Sequence, residues 1–179
     1  MLTPELLIQV LKQLDEILVQ QNSTSIDLKV CGGGALCILG ISFRQTRDLD
    51  VIVPDLPEEV KVAAKTVAKV LNLRADWLNN GPASLVRDLQ KGWEDRCEPI
   101  HAGRCVSISI LGRLDLIASK LFAFCDRDEN DLEDLVVLKP TKEELNSLLA
   151  WTLERDGSEY WPKRVTERFL LLGKKLGHV

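Results

Sequence analysis

Between Val30 and Val53 the chain reads V-C-G-G-G-A-L-C-I-L-G-I-S-F-R-Q-T-R-D-L-D-V-I-V, and this order leaves the backbone little freedom. A short apolar strand must turn on three glycines into a short apolar helix. An Arg-Gln-Thr-Arg link then delivers two aspartates, one residue apart, to the head of a Val/Ile strand. Side chains on a strand alternate between its two faces, so Asp48 and Asp50 project together while Leu49 and Val51 point the other way. Two carboxylates held this close repel each other unless a cation lies between them. The glycines allow another group to approach the main chain and would offer N–H groups at a helix start, which suits a phosphate. A phosphate cradle beside a carboxylate clamp for a divalent metal is the minimum equipment for phosphoryl or nucleotidyl transfer.

The rest of the chain sets bounds on that idea. Its 179 residues suffice for a single domain or a small bipartite fold, and for burying roughly 70% of the unfolded surface. A net charge of -4 excludes a generally basic nucleic-acid binder but leaves room for a local basic patch. With two histidines and five cysteines lacking any C-x-x-C pair, a His-rich or zinc-finger site is excluded. Cys31, Cys37, Cys97, Cys105 and Cys125 read as reduced, mostly buried thiols. Any metal must then sit on carboxylates, which favours Mg²⁺ or Mn²⁺. No apolar run approaches a membrane span and no basic segment precedes the first hydrophobic stretch, so a cytoplasmic protein with no membrane partner is expected.

Thr3 to Gln20 predicts an amphipathic helix, with Thr3 as N-cap, Pro4 at its first position, and Leu7, Val10, Leu11, Leu14, Ile17 and Leu18 on one face. Leu28–Cys31 predicts the first strand, Ala35–Leu39 a buried helix, and Asp48–Val53 the next strand. A helix from Glu58 to about Leu71 follows, with Val60, Ala63, Ala64, Val67 and Val70 inward. Ala75–Leu78 reads as a short strand before the turn Asn80-Gly81-Pro82, and Leu85–Leu89 as helical. A hairpin turns near Ala102-Gly103, leaving His101 exposed in its loop; Val106, Ile108 and Ile110 alternate with Ser107 and Ser109 along the second arm. From Arg113 the pattern is helical, with a capping box at Thr141/Glu144 and a last amphipathic helix over Glu159–Leu176.

At Gly32–Val53 the sequence resembles the G-G-x-A-L…R-x-T-x-D-x-D signature of the minimal nucleotidyltransferase superfamily. A second block, L-I-A-S-K-L-F-A-F-C-D-R-D-E-N-D-L-E-D-L, is similar to the K-L-x-A…R-x-x-x-D-x-x-D-L block of its AbiEii/MenT-like branch. The resemblance implies an α+β fold with an α/β-like front half: a mixed sheet flanked by helices over residues 1–112, and a helical C-terminal part over 113–179 packed on that core. It implies that Gly32, Gly33 and Gly34 lie under the triphosphate, that Arg44 and Thr46 contact phosphate, and that Asp48 and Asp50 bind Mg²⁺ or Mn²⁺. Lys120 would be a phosphate- or acceptor-binding cation, and Asp131 would position a basic partner or the attacking hydroxyl, within a block that also carries Arg127 and Asp134. A further acidic residue beside the pair is common in the superfamily. The Val106–Ile110 strand presents only serines there, so Asp76 is the substitute.

The function so implied is transfer of a nucleoside monophosphate from an NTP to an RNA or protein acceptor. The alternative is a catalytically degenerate nucleotide-binding or interaction protein of the same fold, in a toxin–antitoxin pair with a cognate antitoxin-type partner. Plainer readings run beside each feature. The aspartates are a solvated turn into a strand, and the glycines a tight turn with no ligand. Lys120 snorkels from an apolar helix face, and Asp131 pairs with Arg127 four residues earlier. Trp77, Trp93, Trp151 and Trp161 are core or interface residues rather than base-stacking platforms.

Overall fold

The computed structural model describes residues 1–41, 46–127 and 130–178, and it divides into two compact units, Met1–Gly112 and Arg113–Val179. The first unit holds α1 (Pro4–Gln20), β1 (Ile26–Cys31), α2 (Gly32–Ile38), β2 (Leu49–Val53), α3 (Glu58–Val70), β3 (Leu78–Asn79), β4 (Glu98–Ala102) and β5 (Val106–Ile110). The second holds α4 (Arg113–Asp126), α5 (Asn130–Leu138), α6 (Lys142–Leu153) and α7 (Trp161–Leu176). The fold is the expected α+β arrangement of a mixed sheet flanked by helices with a helical C-terminal part.

The sheet runs in the order β3-β2-β1-β5-β4. β1 pairs antiparallel with β2 and parallel with β5, β2 pairs parallel with β3, and β4 with β5 form the antiparallel hairpin. Alternation decides what faces the core. Leu28 and Val30 of β1, Leu49 and Val51 of β2, and Val106, Ile108 and Ile110 of β5 are buried. α1 covers this layer with Leu7, Val10, Leu11, Leu14 and Leu18, and is started by Thr3, whose hydroxyl accepts the Leu6 N–H. Each such aliphatic side chain contributes about 1.5–3 kcal/mol of transfer free energy.

Several local expectations shift. Val70 is 69% exposed, because the inward stripe of α3 runs through Val60, Ala63, Ala64, Val67 and Ala68 and Val70 falls at its margin in the final turn. The short strand begins at Leu78, leaving Ala75 and Asp76 in the turn before it. Ala83–Arg87 forms a 3₁₀ helix in place of the helical segment expected over Leu85–Leu89. His101 lies within β4 and is half-buried, not exposed in the loop. All four tryptophans are buried, and the indole N–H groups of Trp77 and Trp161 donate to the carbonyls of Ala64 and Thr152.

In the second unit, Thr141 and Glu144 form the expected capping box at the start of α6. Cys125, Trp161 and Val165 make an apolar cluster with Phe122, Leu153 and Phe169. Burial pushes the Cys125 thiol up to about 12, and none of the five cysteines forms a disulfide. Among the described residues no helix is long and apolar enough to cross a membrane.

Candidate active site

The glycine turn and the aspartate pair meet at the junction of β1, α2 and β2. The antiparallel register places Cys31 opposite Asp50, so the residue that ends β1 faces the second aspartate across the ladder. Gly32 then turns with φ +75°, and a Cβ at this position would lie 2.7 Å from Asp50 Oδ2. A Cβ on Gly34 would lie 2.7 Å from the Asp48 carbonyl oxygen and 3.2 Å from the Leu49 Cα. Two of the three glycines are therefore required by packing: one by a left-handed backbone against a carboxylate, the other by contact with the head of β2. Gly33 is different, with Thr46 Oγ1 at 3.6 Å from its Cβ position as the nearest neighbour. The N-cap of α2, Cys31, supplies no side-chain cap hydrogen bond.

The approach to the pair is fixed from two sides. The main chain of Thr46 pairs with Leu2 through Leu2 N–H to Thr46 O at 2.7 Å and Thr46 N–H to Leu2 O at 3.3 Å. Its hydroxyl donates to the Asp48 carbonyl at 3.0 Å. The hydroxyl thus already shapes the turn that delivers Asp48, a role the sequence pattern does not distinguish from phosphate contact. Asp48 and Asp50 are both partly exposed while Leu49 and Val51 are buried, the alternation expected of a strand with one face on the core. Arg44 lies outside the described residues.

β3 adds groups that the sequence pattern missed. Asn79 is the register partner of Asp50 in the parallel β2–β3 ladder. Its side-chain oxygen accepts the Gly81 N–H at 2.6 Å, and a Cβ on Gly81 would be 3.9 Å from Asp50 Oδ1. The Asp50 carboxylate is flanked by glycine on two sides. Asn80 clamps the same corner, accepting from Leu56 N–H at 2.7 Å and donating to the Val51 and Pro54 carbonyls. The N-N-G tripeptide is legible as a turn, but its position beside Asp50 depends on β3 joining the sheet edge.

Asp76 has another partner. Arg74 holds it by two hydrogen bonds of 2.8 and 2.7 Å in an exposed turn, and that contact holds the Asp76 carboxyl below the usual aspartate range. The Arg74 guanidinium is raised in turn, first by Asp76 and to a smaller extent by the charge of Asp48. Among the described residues, no three His, Cys, Asp or Glu side chains gather to hold a metal. The donor set that is present, Asp48 just before β2 and Asp50 within it with Asn79 as the register partner of Asp50, still fits Mg²⁺. That ion keeps several waters and is commonly held by one or two carboxylates together with substrate phosphates.

Lys120, Asp131 and Asp134 form their own set in the second unit. The Lys120 ammonium on α4 lies 2.8 Å from Asp131 Oδ1 and 2.6 Å from Asp134 Oδ2, both on α5. Lys120 is 9% exposed and Asp134 3%, so the lysine is buried against carboxylates and does not snorkel. Burial would lower its pKa, but the charges of Asp131 and Asp134 outweigh that and raise it above the usual lysine value. Among the described residues, the partner of Asp131 is this lysine and not Arg127.

Residues 5–161 match a family described as "Nucleotidyltransferase of unknown function (DUF6036)". No curated protein and no solved structure matches the chain.

Proposed function

The chain belongs to this nucleotidyltransferase family of unknown function, and on that premise we propose that it transfers a nucleoside monophosphate from an NTP to an RNA or protein hydroxyl. The observation that supports the reading is the placement of Asp50 against Gly32, a carboxylate beside a glycine turn that opens a helix. Asp48 and Asp50 would hold Mg²⁺ or Mn²⁺, and the cation, when bound, would neutralise charge on the reacting phosphates. Gly33, whose Cβ position meets Thr46 Oγ1 only at ordinary contact distance, 3.6 Å, is where a triphosphate meets the backbone, and Thr46 keeps the turn in shape. The acceptor oxygen forms a bond to the α-phosphorus, the bond to the bridging oxygen breaks, and pyrophosphate leaves. The Lys120–Asp131–Asp134 set supports the AbiEii/MenT-like branch, with Lys120 as the cation for phosphate or acceptor and Asp131 as the residue that positions it.

The test is labelling with radioactive NTPs, Mg²⁺ and cell extract, comparing the wild type with an Asp48→Ala/Asp50→Ala variant. Label transferred by the wild type alone supports transfer; equal labelling by both proteins sinks it. A second reading is a degenerate member that binds nucleotide or an antitoxin-type partner without turnover. It is favoured by the engagement of Asp76 with Arg74, which leaves the pair without a third carboxylate among the described residues. Calorimetry with NTP and Mg²⁺ separates the two, since binding with no transfer would select the second.

A further inference from the structure

Helix α3 carries Lys61, Lys65 and Lys69 at four-residue intervals, which places them on one stripe of its surface about 6 Å apart along the axis. All three are exposed. Like charges at i,i+4 each cost a helix a few tenths of a kcal/mol, and this stripe contains two such repulsions in succession. Among the described residues no carboxylate pairs with any of the three lysines. Two acids, Asp55 and Asp76, line the cavity beside Lys61 and Lys65 without forming an ion pair with them.

Two cavities run along this face. The first, about 430 Å³, is lined by Lys61 and Lys65 with Asp55, Asp76, Asn79 and an apolar floor that includes Leu56 and Leu78. The second, about 360 Å³, continues from it through the shared residues Lys65 and Ala75 to Lys69 and Asn72. Asn79 ties the near end to the candidate active site, because it is the register partner of Asp50. Of the two acids in the first cavity, Asp76 is engaged by Arg74; Asp55 stands just beyond the end of β2.

We propose that the Lys61–Lys65–Lys69 stripe and the cavities beside it bind a single-stranded nucleic acid, the lysines on successive phosphates and unpaired bases in the cavities, with one end of the strand directed toward Asp48 and Asp50. The proposal rests on the nucleotidyltransferase reading for its orientation and selects RNA over protein as the acceptor. A row of unpaired ammonium groups spaced along one line suits a repeating polyanion better than a single phosphate. Cavities of this size admit a base or sugar, and only an unpaired strand can present one there.

The test is fluorescence anisotropy of a labelled, unstructured RNA oligonucleotide titrated with the full-length protein over a range of salt. The wild type should bind with log K falling linearly against log salt. Lys61→Gln/Lys65→Gln/Lys69→Gln should weaken binding at low salt at least about tenfold and flatten that slope by about 2–3. Asp55→Asn, which removes a carboxylate from the cavity, should tighten binding. Equal RNA binding by the wild type and the triple variant overturns the proposal, as does a wild type that binds polyglutamate and not RNA. Preference for a blunt duplex over the single strand also overturns it. Strand binding requires no NTP, so the two readings fail separately. A protein that binds RNA through these lysines but transfers nothing refutes the transferase reading alone, and full transfer to RNA by the triple variant refutes this one alone.

Discussion

Gly32 and Asp50 occupy each other's space: a Cβ on the glycine would sit 2.7 Å from the aspartate Oδ2, and the glycine backbone is already at φ +75°. The residue that opens α2 and the residue that faces the site from β2 are therefore one steric unit. Gly32→Ala should cost about 1–3 kcal/mol through the left-handed backbone alone, and the added methyl should push the Asp50 carboxylate aside. Urea denaturation measures the first effect and Mn²⁺ calorimetry the second. A variant that loses stability and keeps its Mn²⁺ affinity would show that Asp50 does not hold metal in this position.

Asp48→Asn/Asp50→Asn keeps the shape of both side chains and removes their charge. Mn²⁺ binding should disappear, while the melting temperature without metal changes little or rises, because two neighbouring negative charges are relieved. Paramagnetic resonance of free Mn²⁺ and a thermal melt check the two halves.

Lys120 is the group whose removal should hurt the second unit most. Lys120→Ala removes the cation held between the half-buried Asp131 and the buried Asp134, and breaking a buried pair in this way costs about 3–5 kcal/mol. The pH dependence follows from the raised pKa. A group whose folded pKa lies above its unfolded one contributes stability in full below the unfolded value, here 10.5, and loses it as pH climbs through the folded value. Alkaline unfolding above about pH 10.5 should therefore become shallower in Lys120→Met than in the wild type. Denaturant titrations on both sides of that pH decide it.

Asp15 of α1 anchors the hairpin turn. Its carboxylate accepts the N–H groups of Arg104, Cys105 and Val106 at 3.1, 2.7 and 2.8 Å. Burial works to raise its pKa, but these three donors lower it below the usual 3.8, with a further contribution from His101. A depressed carboxyl contributes stability that is present above the unfolded value and lost as pH falls through the folded one, so the effect belongs below about pH 3.8. Solvent reaches this group, which limits its contribution to about 1 kcal/mol. Asp15→Ala should speed amide exchange at residues 104–106 at neutral pH, and hydrogen-exchange mass spectrometry reads that directly.

Much of this architecture follows from local pattern. The α1 stripe, the alternation along β5, the Thr3 cap and the Thr141/Glu144 capping box each depend on residues a few positions apart, where periodicity and hydrogen-bond reach are fixed by helix or strand geometry. The glycine turn and the Asp48/Asp50 alternation are local in the same sense. Position across the sheet was less legible. Asp76 falls in the segment expected to form a strand, but it lies in the turn before β3, where Arg74, two residues away, holds it. Asn79 carries no acidic signal and gains its place beside Asp50 only when β3 adds to the edge of β2.

By itself, then, the sequence determined which residues lie on each face of each element, because side-chain direction repeats every two residues in a strand and every 3.6 in a helix. It also determined that a carboxylate pair follows a glycine turn. The tertiary structure decided who meets whom: Gly32 against Asp50, Asn79 alongside it, and Lys120 enclosed by two aspartates. Those contacts join residues 11 to 29 positions apart, as between Lys120 and Asp131 and between Asp50 and Asn79. Over such separations no repeat of the backbone fixes a neighbour, and strand order and helix packing do.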